Sequence, residues 1–368
     1  MAALAQAFYK TLTDDQKPTV LLDYTLDNAK RWSNLPQGLL GGTGGGGSMP
    51  SGDQSGAPSG GGTPPGGGGT PPGGGGTPPS GSGSQSSGTG GAGGGGNQAR
   101  LGISLGDLTE EQLAAFTTLL KTATGTTSGL GYEEIELHLA ADDYLGDNGG
   151  GDTYGRGQFY VALLGSPQDT GTWEFQFGGH HLAVANTYTD GKLAGATPSF
   201  RGIEPNAEFE QDGTSYAAPL KVKEAAFTKL LASLSADQQT TAKLADTYSD
   251  LVLGPGQDWA FPTDKEGLQV SELSAKQKKL VLAAIAGYAD DIADDDAKTI
   301  LAKYEGELDD TYIAYSGTTA LTEKDDYVRI DGPSVWIEFS MQNGIVLSGN
   351  HPHSVWRDRT TDYGGTKS

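Results

Sequence analysis

The sequence predicts an α+β fold: an antiparallel sheet packed against helices joined by capped helix-corner-helix units. Three observations predict it: four occurrences of one helix-start signal, alternating strand-like runs gathered in two segments, and an Asn-Gly turn between the last two of those runs.

The helix signal is Leu12-Thr13-Asp14-Asp15-Gln16, repeated as Leu108-Thr109-Glu110-Glu111-Gln112, Leu234-Ser235-Ala236-Asp237-Gln238 and Leu273-Ser274-Ala275-Lys276-Gln277. Each places Ser or Thr at the N-cap and Gln three residues later, so side chain and backbone satisfy each other's free donors, and the preceding apolar residue staples the corner. Acidic residues in three of the first turns suit the positive end of the helix dipole. Helices are also expected through Leu4 to Thr11 and through Lys221 to Ser233, where Ala225, Phe227, Leu230 and Leu231 mark an apolar stripe. The irregular spacing of the four signals reads as shared local chemistry and not as a solenoid. A helix over Tyr132 to Leu145 places His138 one turn from Asp142, a pair expected on an exposed face.

Strands are expected at Gln158 to Leu164, Thr172 to Phe177, His180 to Tyr188, Lys192 to Ala194, Tyr312 to Tyr315, Tyr327 to Asp331, Val335 to Met341 and Ile345 to Arg357. They flank a helical middle from Ala217 to about Glu307.

Between residues 41 and 97 the chain becomes a Gly/Ser/Thr/Pro tract in which Thr63, Thr70 and Thr77 each open a Thr-Pro-Pro. Its single charge is Asp53 and it has no aromatic residue, so nothing offsets the entropy of ordering. The expectation is a disordered surface insertion reaching about 40 Å. Residues 1–40 are too few for a core and are expected to dock as N-terminal helices on the main α+β domain, 98–368.

A formal net charge of −22 argues against nucleic-acid partners and anionic membrane surfaces, and no apolar run is long enough for membrane insertion. With no cysteine, disulfides and thiolate metal sites are excluded, so a bound metal would need His, Asp, Glu or backbone oxygen. Met1 to Lys10 lack the pattern of a signal peptide. The acidic, cysteine-free composition and the tract fit an exported bacterial protein, extracellular or periplasmic, whose leader is absent from the given chain.

The candidate site lies on the hairpin from Trp336 to Asp358. If Asn343-Gly344 is the whole loop, Ser340 faces Leu347, Glu338 faces Gly349 and Trp336 faces His351. Glu338, His351 and His353 then project from one side, a ligand set that suits zinc, copper, iron or manganese. Against this, two histidines on a strand are often polar surface residues, and Pro352 between them could shift the register. After Gly178-Gly179, a regular strand sends His180 and His181 to opposite faces; small Ala183 and Ala185 favour His181 as the ligand, with His180 kept as the alternative. The glycine-rich run from Gly146 to Asp152 fits neither a phosphate loop nor an EF-hand and reads as a loop.

Arg31-Trp32-Ser33-Asn34-Leu35-Pro36, Gly179-His180-His181-Leu182, Thr197-Pro198-Ser199-Phe200-Arg201-Gly202, Ile337-Glu338-Phe339, His351-Pro352-His353 with Arg357, and Asp362-Tyr363-Gly364 together resemble an uncharacterised family, domain of unknown function 3500. The resemblance spans nearly all of the chain except the tract and implies no activity. It does imply that His180, His181, Glu338, His351, His353, Arg357 and Asp362 are the positions to watch. The expected function is a metal-dependent protein, a hydrolase or oxidase acting on a small-molecule substrate. In it Arg357 would hold an anionic substrate group, and Asp362 would orient a histidine or act as a base. Two other readings stay open: a noncatalytic metal- or small-ligand-binding protein, and a structural module whose histidines only make hydrogen bonds. The sequence leaves oligomeric state undetermined.

Overall fold

The computed structural model describes residues 1–40 and 98–367; the expectation for 41–97 lies outside the described residues. The capping boxes at Thr109, Ser235 and Ser274 close with both reciprocal bonds. The box at Thr13 forms too, but its helix, Lys17–Val20, is a single turn, because Leu21–Leu22 leaves it to pair with the sheet. The principal helices are α1 (Ala2–Thr11), α2 (Glu110–Thr124), α3 (Gly131–Leu145), α4 (Lys221–Ala232), α5 (Ala275–Ala289) and α6 (Asp294–Gly306).

Eight principal strands make the sheet: β1 (Tyr160–Leu164), β2 (Thr172–Gly179), β3 (Leu182–Thr189), β4 (Ser199–Gly202), β5 (Tyr312–Ser316), β6 (Tyr327–Asp331), β7 (Val335–Asn343) and β8 (Asn350–Asp358). Their order is β1-β2-β3-β4-β8-β7-β6-β5, with every neighbouring pair antiparallel. Leu21–Leu22 adds in parallel to β1, while Ile103–Ser104, Lys192–Gly195 and Leu268–Gln269 add antiparallel to β1, β3 and β5. This is the α+β class expected. The central strand β4 had no signal of its own, being four residues long behind Thr197-Pro198.

The sheet is two copies of one unit. Gly102-Ile103-Ser104-Leu105 and Gly267-Leu268-Gln269-Val270 each begin with a positive-φ glycine, form a short strand and lead into a capping box. The β1 run Tyr160-Val161-Ala162 matches the β5 run Tyr312-Ile313-Ala314, and both are followed by a positive-φ glycine, Gly165 and Gly317. Backbone bonds repeat as well: Leu105 N–H to Phe159 O and Val270 N–H to Thr311 O, both 2.8 Å. The strand order reads the same outward in both directions from the β4–β8 pair. The irregular spacing of the boxes has a simple origin: Thr13 and Ser235 are 222 positions apart, Thr109 and Ser274 165, and the 57-residue discrepancy equals the length of segment 41–97. The four helix signals therefore belong to a duplication, a stronger relation than shared local chemistry.

Alternation decides what each face buries. Val161, Leu163, Phe175 and Phe177 meet α1 and α2 in one core, where the Phe8 and Phe116 rings lie 5.8 Å apart and Phe116 and Phe177 5.0 Å. Each such side chain contributes about 1.5–3 kcal/mol by leaving water. Ala162, Ala183, Phe200 and Val355 face the opposite way and are covered by Trp32, Leu251 and Trp259 from the two long connections.

Glu174 on β2 is fully buried; among the described residues only the Thr187 hydroxyl (3.0 Å) and the Gln176 amide (3.3 Å) donate to it, and burial pushes it up to about 8. A raised folded value means the stability it contributes is complete below the unfolded value near 4.5 and is lost as pH rises through 8. Denaturant unfolding of Glu174→Gln across pH 5 to 8 should therefore show the variant gaining on wild type by about 1.4 kcal/mol per pH unit. A difference that stays flat would show that Glu174 ionises normally.

Candidate metal centre

The two imidazoles of β8 are placed by a register that differs from the expected one. Asn343-Gly344 is not a two-residue turn: β7 runs through Asn343, which pairs with Asn350, and residues 344–349 form the loop. The cause is tertiary. Glu204 Oε1 accepts the backbone N–H groups of Ile345, Val346 and Leu347 at 2.7, 2.9 and 2.6 Å, and the tip wraps around that carboxylate. His351 consequently faces Gln342, His353 faces Ser340 and Glu338 faces Val355. Pro352 sits opposite Met341 with no register shift, so both imidazoles keep the same face.

His180 and His181 are the turn between β2 and β3, and do not begin a strand. His181 takes φ 61°, with its N–H on Asn34 O at 3.1 Å and its carbonyl accepting Gly202 N–H at 2.7 Å. That turn carries the His181 ring to β8, where its Nε2 lies 2.9 Å from His351 Nε2. The ring centroids of His181 and His353 are 5.2 Å apart, and those of His351 and His353 4.8 Å. One ring nitrogen from each of His181, His351 and His353 falls within 4.8 Å of the others. Gly202 leaves room for this convergence, since a Cβ there would stand 3.0 Å from His353 and 3.2 Å from His181, closer than an ordinary contact.

The outer nitrogens are held. His353 Nδ1 donates to Asp250 Oδ1 at 3.0 Å, and His351 Nδ1 donates to Asn343 O at 3.3 Å with Glu204 Oε2 at 3.9 Å. With Nδ1 as the donor, Nε2 is the atom that carries the lone pair in a neutral ring. That of His353 is buried and has no hydrogen-bond partner among the described residues. His180 turns away, its Nδ1 on Asp142 Oδ1 at 2.6 Å, while its ring lies 3.6 Å from that of His181 and meets Tyr154 edge-on.

All five histidines of the chain gather around this place, and a charge on any of the other four would disfavour protonation of His181. Burial, then the neighbouring imidazoles, hold His181 well below the ordinary value, and burial with His353 takes His351 to about 3. Both are neutral, the form that binds metal. His138 and Asp142 are buried, contrary to the exposed face expected for them. Their helix α3 is clamped to β4 by Arg201 Nε on Glu134 at 3.1 Å, with Lys223 bridging Glu134 and Asp291.

Three expected site residues lie elsewhere. Glu338 is buried and fully engaged, accepting Val252 N–H (2.6 Å), Leu253 N–H (2.9 Å), Tyr327 OH (2.6 Å) and Trp336 Nε1–H (2.7 Å). Arg357 is spent on Asp258 (3.1 Å), Asp362 (3.0 Å) and the carbonyls of Leu253 and Gly254, with its guanidinium 5.3 Å from the Trp32 ring. Asp362 holds Arg357 and the Asp358 N–H, and contacts no histidine. These three brace the loop-covered face beyond the imidazoles. The carboxylates that do meet the histidines, Asp142, Glu204 and Asp250, come from a helix and two loops and carry no motif.

The fold and this centre define an α+β protein with a duplicated half-sheet unit and a buried three-imidazole cluster at the junction of the halves. A family model, "Protein of unknown function (DUF3500)", matches residues 96–365, and the chain belongs to that family. The match includes the Gly179–Leu182, His351–Arg357 and Asp362–Gly364 motifs and starts after Arg31–Pro36. No curated protein and no solved structure gives a significant match.

Proposed function

We propose that this protein binds one divalent transition-metal ion per chain on His181, His351 and His353, and that the ion serves a hydrolytic or oxidative reaction on a small molecule. The observation that carries the reading is His353 Nε2: a buried lone pair without a partner, on a ring whose other nitrogen is pinned to a carboxylate. A carboxylate orienting a histidine from its far side is the usual support of a ligating imidazole. Three imidazole ligands leave a coordination position free, the arrangement of catalytic zinc sites, where the metal lowers the pKa of a bound water. The duplication supports a single site per chain. The mates of His181 and His353 in the other half are Ser334 and Ala196, so the second junction offers no matching set.

Elemental analysis of protein purified without a histidine tag tests this, with one equivalent of zinc, copper, iron or manganese expected. Less than a tenth of an equivalent after loading and desalting would leave the histidines as a hydrogen-bonded network. The 2.9 Å His181–His351 contact would serve that network equally well, with Nε2–H of one ring donating to the other. Asp250→Asn keeps the shape but weakens the hold on His353, and should cost about 10- to 100-fold in metal affinity, measured by chelator competition. Export belongs to the same proposal, on the strength of the cysteine-free, acidic composition, and predicts the protein outside the cytoplasm on fractionation.

A further inference from the structure

The duplication supplies an internal control for a second site. In the latter half, Lys265, two residues before Gly267, donates to Gly332 O at 3.0 Å and pairs with the Asp331 carboxylate, which also binds Arg359 at 2.6 Å. In the first half the equivalent cation is Arg100, two residues before Gly102, and it donates in the same way to Gly179 O at 2.6 Å. The counter-charge is missing. Tyr160 pairs with Gly178 where Tyr312 pairs with Asp331, so glycine stands in place of the aspartate.

The guanidinium is nevertheless buried. Arg100 is 9% exposed, its Nη2 is taken by the carbonyls of Ser33, Leu35 and Gly179, and its Nη1 has no partner. Among the described residues no carboxylate lies within 4.0 Å of it or of Arg31, whose buried Nε is also unpartnered. Asp142 acts on Arg100 only through space, its oxygens being held by His180 and the Gly155 N–H. Burial without a paired charge takes Arg100 down to about 10. Arg31 and Arg100 line a cavity with Gly178, Trp32, Phe177 and Leu182, where the space open to the centre of a water-sized sphere is about 10 Å³. That is room for about one small species. A buried cation without a paired charge is costly, and two unpartnered donors on residues that line one cavity, with Tyr160 and Gln176 the other polar side chains in its wall, are the mark of a missing acceptor.

We infer that this cavity is a binding site for a small monovalent anion, chloride in class, which takes the place in the first half that the Asp331 carboxylate fills in the second. The size of the cavity favours a halide over a polyatomic anion. Arg100 also holds the carbonyl immediately before His180-His181, so an occupied site steadies the turn that presents His181.

Crystals of the full chain grown with sodium bromide should show one strong anomalous peak beside Arg100 Nη1 and Arg31 Nε. In solution, metal-free protein at constant ionic strength should melt about 3 °C higher when gluconate is exchanged for chloride, with saturation. Arg100→Gln should abolish that rise. Because this variant also loses three carbonyl contacts and can fail to fold, Arg31→Met, which gives up a single bond to Ala99 O, serves as the second and should reduce the rise by at least half. A formate titration on the same footing separates a carboxylate group from a halide, and a larger rise with formate than with chloride would overturn the halide assignment. A water in the cavity of bromide crystals, or a chloride effect unchanged in Arg31→Met, overturns the site. None of these readings depends on whether the imidazoles bind metal.

Discussion

Replacing His351 with alanine is expected to lower metal affinity by more than about 100-fold, since loss of a ligand must exceed the 10- to 100-fold typical of losing a partner behind one. His351 is the decisive choice of the three. It is the most buried, its Nε2 lies 2.9 Å from that of His181, and its neutral state is secured by burial. Titration with zinc in competition with a chromophoric chelator measures the change, and near-ultraviolet circular dichroism checks that the fold is kept. Equal affinity in variant and wild type would remove His351 from the centre and leave two imidazoles, too few for the site proposed.

Glu338→Ala should produce the largest loss of stability, about 3–5 kcal/mol, while metal stoichiometry below its melting temperature stays at the wild-type level. Removing this carboxylate strands four buried donors, two backbone N–H groups, the Tyr327 hydroxyl and the Trp336 indole, at about 1–3 kcal/mol each before relaxation and entering water soften the cost. Burial raises Glu338, while those same donors favour its ionised form. Denaturant unfolding gives the first number and elemental analysis the second. A variant of near-normal stability that has lost its metal would restore Glu338 as a ligand.

The contrast between these two residues shows how much of the site was legible. Alternation along the last strand is enough to put His351 and His353 on one side, because a strand repeats every second residue and Pro352 did not disturb it. Local turn preference was not enough to place Glu338. Asn-Gly favours a two-residue turn, but three N–H bonds to Glu204, 141 to 143 positions earlier in the chain, stabilise a longer tip and slide the partner strand. Preference for a turn is a local effect of modest size; a carboxylate gathering three amides outweighs it. His138 and Asp142 were misplaced for a related reason. Polar residues one turn apart on a helix look solvated unless one knows that an ion-pair cluster and a second histidine will cover them.

What the amino-acid sequence determined by itself was everything that depends on neighbours a few positions apart: the capped helix starts, the two groups of strands and the paired histidines of β8. Only the tertiary structure decided the strand order, the joining of two similar halves, and which carboxylates stand behind the imidazoles. Those outcomes depend on contacts between segments from tens of residues to more than a hundred apart, whose partners are chosen by shape and charge at the meeting surface and leave no spacing along the chain.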